Sequence, residues 1–302
     1  MIENPSFDSQ TKDTLTTRVI DFGSKVVLTE KFLKGIMDSG VVDVILKVAN
    51  AKEEAKLQRS LKPSGKKSKL LGIPKLEDAN DAGTRDSSLC TIILTEGDSA
   101  KSLALAGIEL IGRDKYGVFP LRGKFLNVRE ASNKQIMENP EIQNLIKILG
   151  INVGKKYENT DLLRYGSIMI MTDQDHDGSH IKGLLINFIH HFWPTLFRME
   201  GFLREFVTPI IKATRKNGGQ ENVFFTIQDY EVWAEDKSLS LYKIKYYKGL
   251  GTSTSKEAKE YFAKIAEHTI DFEYVDETDD QAIDLAFNKK LADQRKTWLE
   301  GF

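Results

Sequence analysis

Three aspartates stand at alternate positions in "MTDQDHDGSH": Asp173, Asp175 and Asp177. They follow the apolar run "YGSIMIMT" and precede a glycine. Carboxylates this close raise one another's pKa unless a cation relieves the repulsion. Oxygen-only donors of this kind suit Mg²⁺, which keeps several waters and often binds a substrate phosphate as well. A fourth carboxylate, Glu96 in "TEGDSA", also follows an apolar run, "CTIILT". If both runs are strands of one sheet, Glu96 and the aspartates converge on one edge and form an acidic Mg²⁺ site suited to phosphoryl transfer. In that site Glu96 would bind metal or move a proton.

The aspartate spacing also matches the first half of a calcium EF-hand loop. The twelfth position of such a loop is Leu184, where a bidentate glutamate is needed, and the preceding segment reads as a strand rather than a helix. Both count against calcium. His176 and His180 stand four apart, but no third nitrogen or sulfur ligand lies nearby, so they read as polar helix-start residues. Two further stretches, "GVFPLRGKF" and "KGLGTST", pair lysine with glycine. Neither has P-loop or dinucleotide spacing. Each could still bring backbone close to a phosphate, or be an ordinary turn.

The elements that must position these residues alternate between strand and helix. Thr29 to about Leu61 reads as one helix from its apolar spacing. Residues 62–88, rich in Pro, Gly, Ser and Asp, read as a linker. Strands are expected at "CTIILT", "YGVFPL", "YGSIMIMT", "EFVTPIIKA", "NVFFTI" and "YKIKYY". Helices are expected after Glu96 (Asp98 or Ser99 as N-cap, Gly107 as C-cap), around 132–138 and 140–149, and from Ser179 to Arg198. Two more are expected at "STSKEAKEYFAKIAEH" and from Asp279 to Leu299. The alternation implies a mainly parallel sheet covered on both faces, with sites at the carboxyl ends of strands.

Bulk properties narrow the field. The chain has 302 residues, enough for about two domains, with 43 Lys+Arg against 44 Asp+Glu. Basic stripes run through 47–75 and 113–134, and 267–284 is acidic. Such stripes are either solvated faces or phosphate-binding surfaces. A single cysteine, Cys90, excludes a disulfide framework and a cysteine zinc site. No apolar run approaches the ~18 residues of a membrane span, so no membrane partner is expected.

The motifs "TIILTEGDSAKSLALAG", "GRDKYGVFPLRGKFLNVREAS", "IMIMTDQDHDGSHIKGLLINFIHHFWP" and "YYKGLGTSTSKEAKEYF" resemble eukaryotic-type DNA topoisomerase II, a type IIA topoisomerase. The glutamate and the D-x-D-x-D run are similar to those of the Toprim domain. The resemblance covers essentially the whole chain. It implies an α/β Toprim fold, Rossmann-like, with an N-terminal helical linker and a C-terminal α+β extension. The expected divisions are 1–28 (end of a transducer region), 29–88 (helical segment and linker), 89–210 (Toprim) and 211–302 (Toprim completion and lead-in to a winged helix).

The same resemblance implies two Mg²⁺ ions on Glu96, Asp173 and Asp175, with Asp177 in support. It implies contacts to double-stranded DNA from Arg122, Lys124, Asn127, Lys248 and Tyr274. Before that tyrosine, where the family often has a base, this chain has Glu273. Gln10, Thr11 and Lys12 in "SQTK" would reach ATP held by a preceding ATPase domain; taken alone, "SQTK" is a polar loop. The implied protein is a nuclear, ATP-dependent homodimer that cuts both strands of a duplex, passes another through and reseals. The family's nucleophilic tyrosine belongs to a winged helix, and none of the nine tyrosines here occupies that motif. The chain therefore reads as a fragment, expected to be inactive alone. The other readings are a non-catalytic DNA-binding or subunit-interaction module and a primase-like Toprim protein.

Overall fold

The computed structural model describes residues 5–7, 14–21, 23, 28–61, 70, 72–219 and 221–301. The chain divides into two compact units, Met1–Ala55 and Lys56–Phe302. In the first, α1 (Glu30–Asp38) starts where the Thr29 hydroxyl accepts the Phe32 N–H, at 3.3 Å. It stops at Ser39, and Gly40 takes a left-handed φ of 73°. A second helix, α2 (Val41–Ser60), runs on past the unit boundary. The single helix expected over 29–61 is thus two, because a residue with positive φ cannot continue a right-handed helix.

The second unit holds the strands β1 (Thr91–Glu96), β2 (Tyr116–Leu121), β3 (Ser167–Met171), β4 (Leu203–Phe206), β5 (Ile211–Arg215), β6 (Glu221–Phe224), β7 (Tyr242–Tyr246) and β8 (Thr269–Asp271). Five form a sheet in the order β2-β1-β3-β4-β8; the first four are parallel and β8 is antiparallel to β4. Alternate residues of the strands face opposite ways. Ile92, Leu94, Ile168 and Ile170 pack with Leu145 and Leu149 of α5 (Pro140–Leu149) and Leu184 and Phe188 of α6 (His176–Phe192). On the other face Ile93, Val118, Met169 and Met171 pack with Leu103 and Ala104 of α3 (Gly97–Ile111) and Tyr261 and Phe262 of α9 (Ser255–Ala263). Burial on both faces is why these strands read as unbroken apolar runs rather than alternating ones.

Several expected boundaries move, each for a local reason. The helix after β1 begins at Gly97, with Glu96 in the N-cap position, and ends at Gly112, whose φ is 94°. Gly107, expected as the cap, lies inside the helix, where a Cβ would sit 2.1 Å from a ring carbon of Phe262. The glycine is there for close helix packing. "EFVTPIIKA" is split between two sheets: β4 ends before Pro209, and β5 joins an antiparallel sheet in the order β6-β5-β7. That smaller sheet packs Ile211, Ala213 and Phe224 on Tyr230 of α8 (Ile227–Glu235), a helix not foreseen in the sequence.

The helix expected over 179–198 begins earlier, at His176, and breaks at Trp193; Pro194 then opens α7 (Pro194–Phe197). The two expected between β2 and β3 are α4 (Asn133–Glu138), with a Ser132–Gln135 capping box, and α5. The last expected helix divides at Asn288 into α10 (Glu277–Phe287) and α11 (Ala292–Glu300).

Candidate metal centre

Strand pairing brings the two carboxylate motifs together. β1 and β3 are adjacent and parallel, with Thr95 opposite Met171, so Glu96 and the residues after Met171 emerge at the same edge. The Asp173 backbone N–H donates to Glu96 Oε2 at 3.2 Å. The chain then turns tightly into α6: a Cβ on Gly178 would lie 2.0 Å from the Asp173 carbonyl oxygen. Asp175 is the N-cap of α6, its Oδ1 accepting the Gly178 N–H at 2.8 Å.

A third segment closes on the same edge. The Leu250 N–H, from the "KGLG" loop, donates to Asp173 Oδ1 at 2.7 Å. A Cβ on Gly249 would stand 2.3 Å from Asp173 Oδ2. Gly249 is extended, with a φ of −177°, so space rather than backbone conformation demands glycine here. Lys248 is exposed beside it.

The electrostatics match a cation-seeking site. Burial pushes the Glu96 carboxyl above the usual range; the Asp173 N–H opposes this, and the negative charges of Asp173, Asp175 and Asp177 reinforce it. Lys124 Nζ reaches Asp177 Oδ1 at 2.8 Å. That hydrogen bond raises the lysine and lowers the aspartate. Among the described residues no group of three His, Cys, Asp or Glu is gathered into a cage for a metal ion. An all-oxygen pair such as Glu96 and Asp173 nonetheless fits Mg²⁺, which takes one or two carboxylates and retains water. Asp175 stands next to them, partly committed to its cap, and Asp177 is committed to Lys124.

The sequence-selected residues fall into two places. Lys124 lies against Asp177, Lys248 is exposed next in sequence to the Gly249–Leu250 segment that meets Asp173, and Arg122 is exposed on the same loop as Lys124. Asn127 and Tyr274 belong to a polar network instead. Asn127 Nδ2 donates to the Phe287 carbonyl at 2.9 Å, and its Oδ1 accepts from Asn187 at 3.0 Å. Tyr274 donates to Asp280 at 2.9 Å beneath the Arg198 guanidinium, 4.8 Å from the ring centroid. His176 lies at the start of α6 and His180 in its first turns, both exposed. Gln10, Thr11 and Lys12 lie outside the described residues.

At the centre of the network is Arg129, which the sequence reading passed over. It donates to Asn187 at 2.6 Å and Asp284 at 2.7 Å, and its Nη2 lies 2.7 Å from His190 Nδ1. One signal was available: Asn187 interrupts the apolar helix run "GLLINFIHHF", and a buried amide needs partners.

A parallel sheet whose strand ends present a glutamate and an Asp-x-Asp-x-Asp run defines a Toprim domain. The Toprim domain family matches residues 91–203, and the C-terminal associated domain of Toprim matches residues 206–302. DNA topoisomerase 2 of Plasmodium falciparum is 55% identical over 305 residues, covering 100% of this chain and 22% of that protein. DNA topoisomerase 2-alpha of Gallus gallus is 57% identical, covering 100% of this chain and 19% of that protein. DNA topoisomerase 2 of Bombyx mori is 58% identical, covering 99% and 19%. The crystal structure of the Plasmodium falciparum topoisomerase II DNA-binding, cleavage and re-ligation domain superposes with a TM-score of 0.76 at 59% identity, over 78% of this chain and 32% of that one. The chain belongs to the eukaryotic-type DNA topoisomerase II family and spans about a fifth of the length of these curated relatives.

Proposed function

We propose that this chain supplies the Mg²⁺ site and part of the DNA-backbone contact surface of an ATP-dependent type II DNA topoisomerase. The observation that carries the reading is the meeting of Glu96, Asp173 and the Lys248–Leu250 loop at one strand edge. Glu96 and Asp173 are the principal metal ligands, Asp175 the next; two Mg²⁺ ions at this edge are part of the reading. Bound Mg²⁺ supplies charge stabilisation at the reacting phosphate and leaving 3′-oxygen. Arg122, Lys124 and Lys248 hold the duplex by its phosphates without reading sequence. Asn127 contributes by fixing its loop.

The attacking tyrosine comes from a winged helix outside these residues. Its oxygen displaces the 3′-hydroxyl and stays joined to the 5′ phosphate until the step reverses. In this reading residues 1–28 end a transducer, 29–88 link it to the Toprim domain of 89–210, and 211–302 complete it. Gln10, Thr11 and Lys12 face ATP only in the complete enzyme, a nuclear homodimer.

The test is Mn²⁺ or Mg²⁺ binding and DNA cleavage with Glu96→Gln and Asp173→Asn. In the chain of 302 residues both changes should remove metal binding. In the complete enzyme they should depress cleavage far more than DNA affinity. Equal losses of cleavage and affinity would favour a plain DNA-binding module instead.

A further inference from the structure

The residues on either side of the "KGLG" loop, which reaches Asp173, are tied to one carboxylate. Upstream, Tyr247 sends its hydroxyl to Glu257 Oε1, and its backbone N–H donates to the Ile210 carbonyl at 2.8 Å. Lys245 reaches the same carboxylate at 2.9 and 3.1 Å. Downstream, Thr254 caps α9, its N–H donating to Glu257 Oε2 at 2.8 Å and its hydroxyl accepting the Glu257 N–H at 3.2 Å. Glu257 is therefore a shared anchor for residues 247 and 254, which bracket the loop. The loop between them offers Leu250 N–H to Asp173, with Gly249 leaving room for the carboxylate.

We infer that Tyr247 and Glu257 are positioning residues that clasp the Lys248–Ser253 loop so that the Leu250 N–H holds Asp173 in place. The inference deepens the metal-site reading and rests on it for its consequence. Leu250 occupies Oδ1 of Asp173 and so orients the carboxylate, in the way hydrogen-bonded partners orient metal ligands generally. The same clasp fixes the backbone from which Lys248, next to Tyr247 in sequence, projects. Tyr247 is buried, with only 7% of its surface exposed, and the Glu257 side chain is 15% exposed, so water competes little for this contact. The smaller sheet and α9 are thereby coupled to the strand edge through a single side chain.

The test uses the chain of 302 residues with Tyr247→Phe, Glu257→Gln and Gly249→Ala. Glutamine at position 257 can still serve the helix cap, so it separates loss of the clasp from loss of the helix. The readouts are hydrogen exchange of the Leu250 amide and Mn²⁺ affinity. All three variants should deprotect Leu250 by roughly tenfold or more, as expected for loss of a charge-assisted hydrogen bond, and weaken Mn²⁺ by about tenfold. Arg129→Lys, which disturbs the polar network joining α6 and α10 and touches neither the loop nor α9, serves as the control and should leave Leu250 protection relative to its neighbours unchanged. Unchanged exchange at Leu250 in Tyr247→Phe and Glu257→Gln would overturn the inference. A Glu96→Gln variant that keeps full Mn²⁺ affinity would overturn the metal-site reading instead, while the exchange data would still decide the clasp.

Discussion

The backbone N–H of Asp173 donates to the carboxylate of Glu96 at 3.2 Å, across 77 positions of sequence. Neither residue would be remarkable on a loop. They meet because β1 and β3 are neighbours running the same way, which carries both C-terminal ends to one edge. The contact leaves a half-buried carboxyl, raised above its ordinary range, near three aspartates, and a cation or a proton relieves that arrangement.

Glu257 should make the fold acid-sensitive. Burial alone would raise its carboxyl, but hydrogen bonds from Tyr247, Thr254 and Lys245 hold it down to about 2, against an ordinary 4.5. A carboxyl depressed on folding stabilises the protein above its unfolded value, and the stabilisation is lost as pH falls from about 4.5 toward 2. The shift corresponds to up to about 3 kcal/mol. Glu257→Gln should lower stability at neutral pH and flatten that part of the acid profile, measured by urea unfolding. A profile identical in slope to the unsubstituted chain would count against the anchor.

Gly107→Ala should destabilise despite alanine's better helix propensity. The added Cβ would stand 2.1 Å from Phe262 Cδ2, inside a face where α3 packs on α9. Overpacking costs about 1–3 kcal/mol and the helix gains about 1, so a net loss near 1 kcal/mol is expected. Combining it with Phe262→Leu should cost less than the sum of the two changes, read from denaturant midpoints. Additive losses would mean that the two residues do not meet.

Much of this was legible in the sequence, for reasons that particular residues show. Buried parallel strands advertise themselves as short β-branched runs, so β1 and β3, and hence Glu96 and Asp173 at their ends, could be placed. Gly40 and Pro194 were also visible, but whether they break a helix depends on what the next turn packs against. Gly107 was misread as a cap because nothing local reveals Phe262, 155 positions away in sequence. The Arg129 network was invisible for the same reason: its partners lie on α6 and α10, and only Asn187 betrayed a buried polar group. The three-residue β8 carries too little pattern to be seen alone.

Arg129→Lys should be costly although charge is kept. The guanidinium donates to Asn187 and Asp284 and lies against His190 Nδ1. Arginine can only donate, so His190 Nδ1 accepts, and its Nε2–H is left to donate to Asp280 at 2.6 Å. A lysine ammonium cannot reproduce the planar fork. Losing two such bonds should cost about 3 kcal/mol in thermal or urea unfolding. A loss below about 0.5 kcal/mol, the range of an ordinary surface change, would remove Arg129 from the centre of the network.

Lys124→Ala should do the opposite, leaving stability alone and weakening DNA. The side chain is 55% exposed and its ion pair with Asp177 is also exposed, so the unfolding midpoint should stay where it is. On the proposed reading its ammonium serves a phosphate, so affinity should fall evenly across sequences and the salt slope should shrink by about one. The pair with Asp177 adds a sharper expectation. Without metal, Asp177 competes with phosphate for Lys124, so Asp177→Asn should tighten metal-free DNA binding. That gain should vanish in a Lys124→Ala background. Fluorescence anisotropy with a duplex in EDTA, over a range of KCl, measures both effects. If Asp177→Asn tightens binding equally with and without Lys124, general charge rather than this contact is responsible.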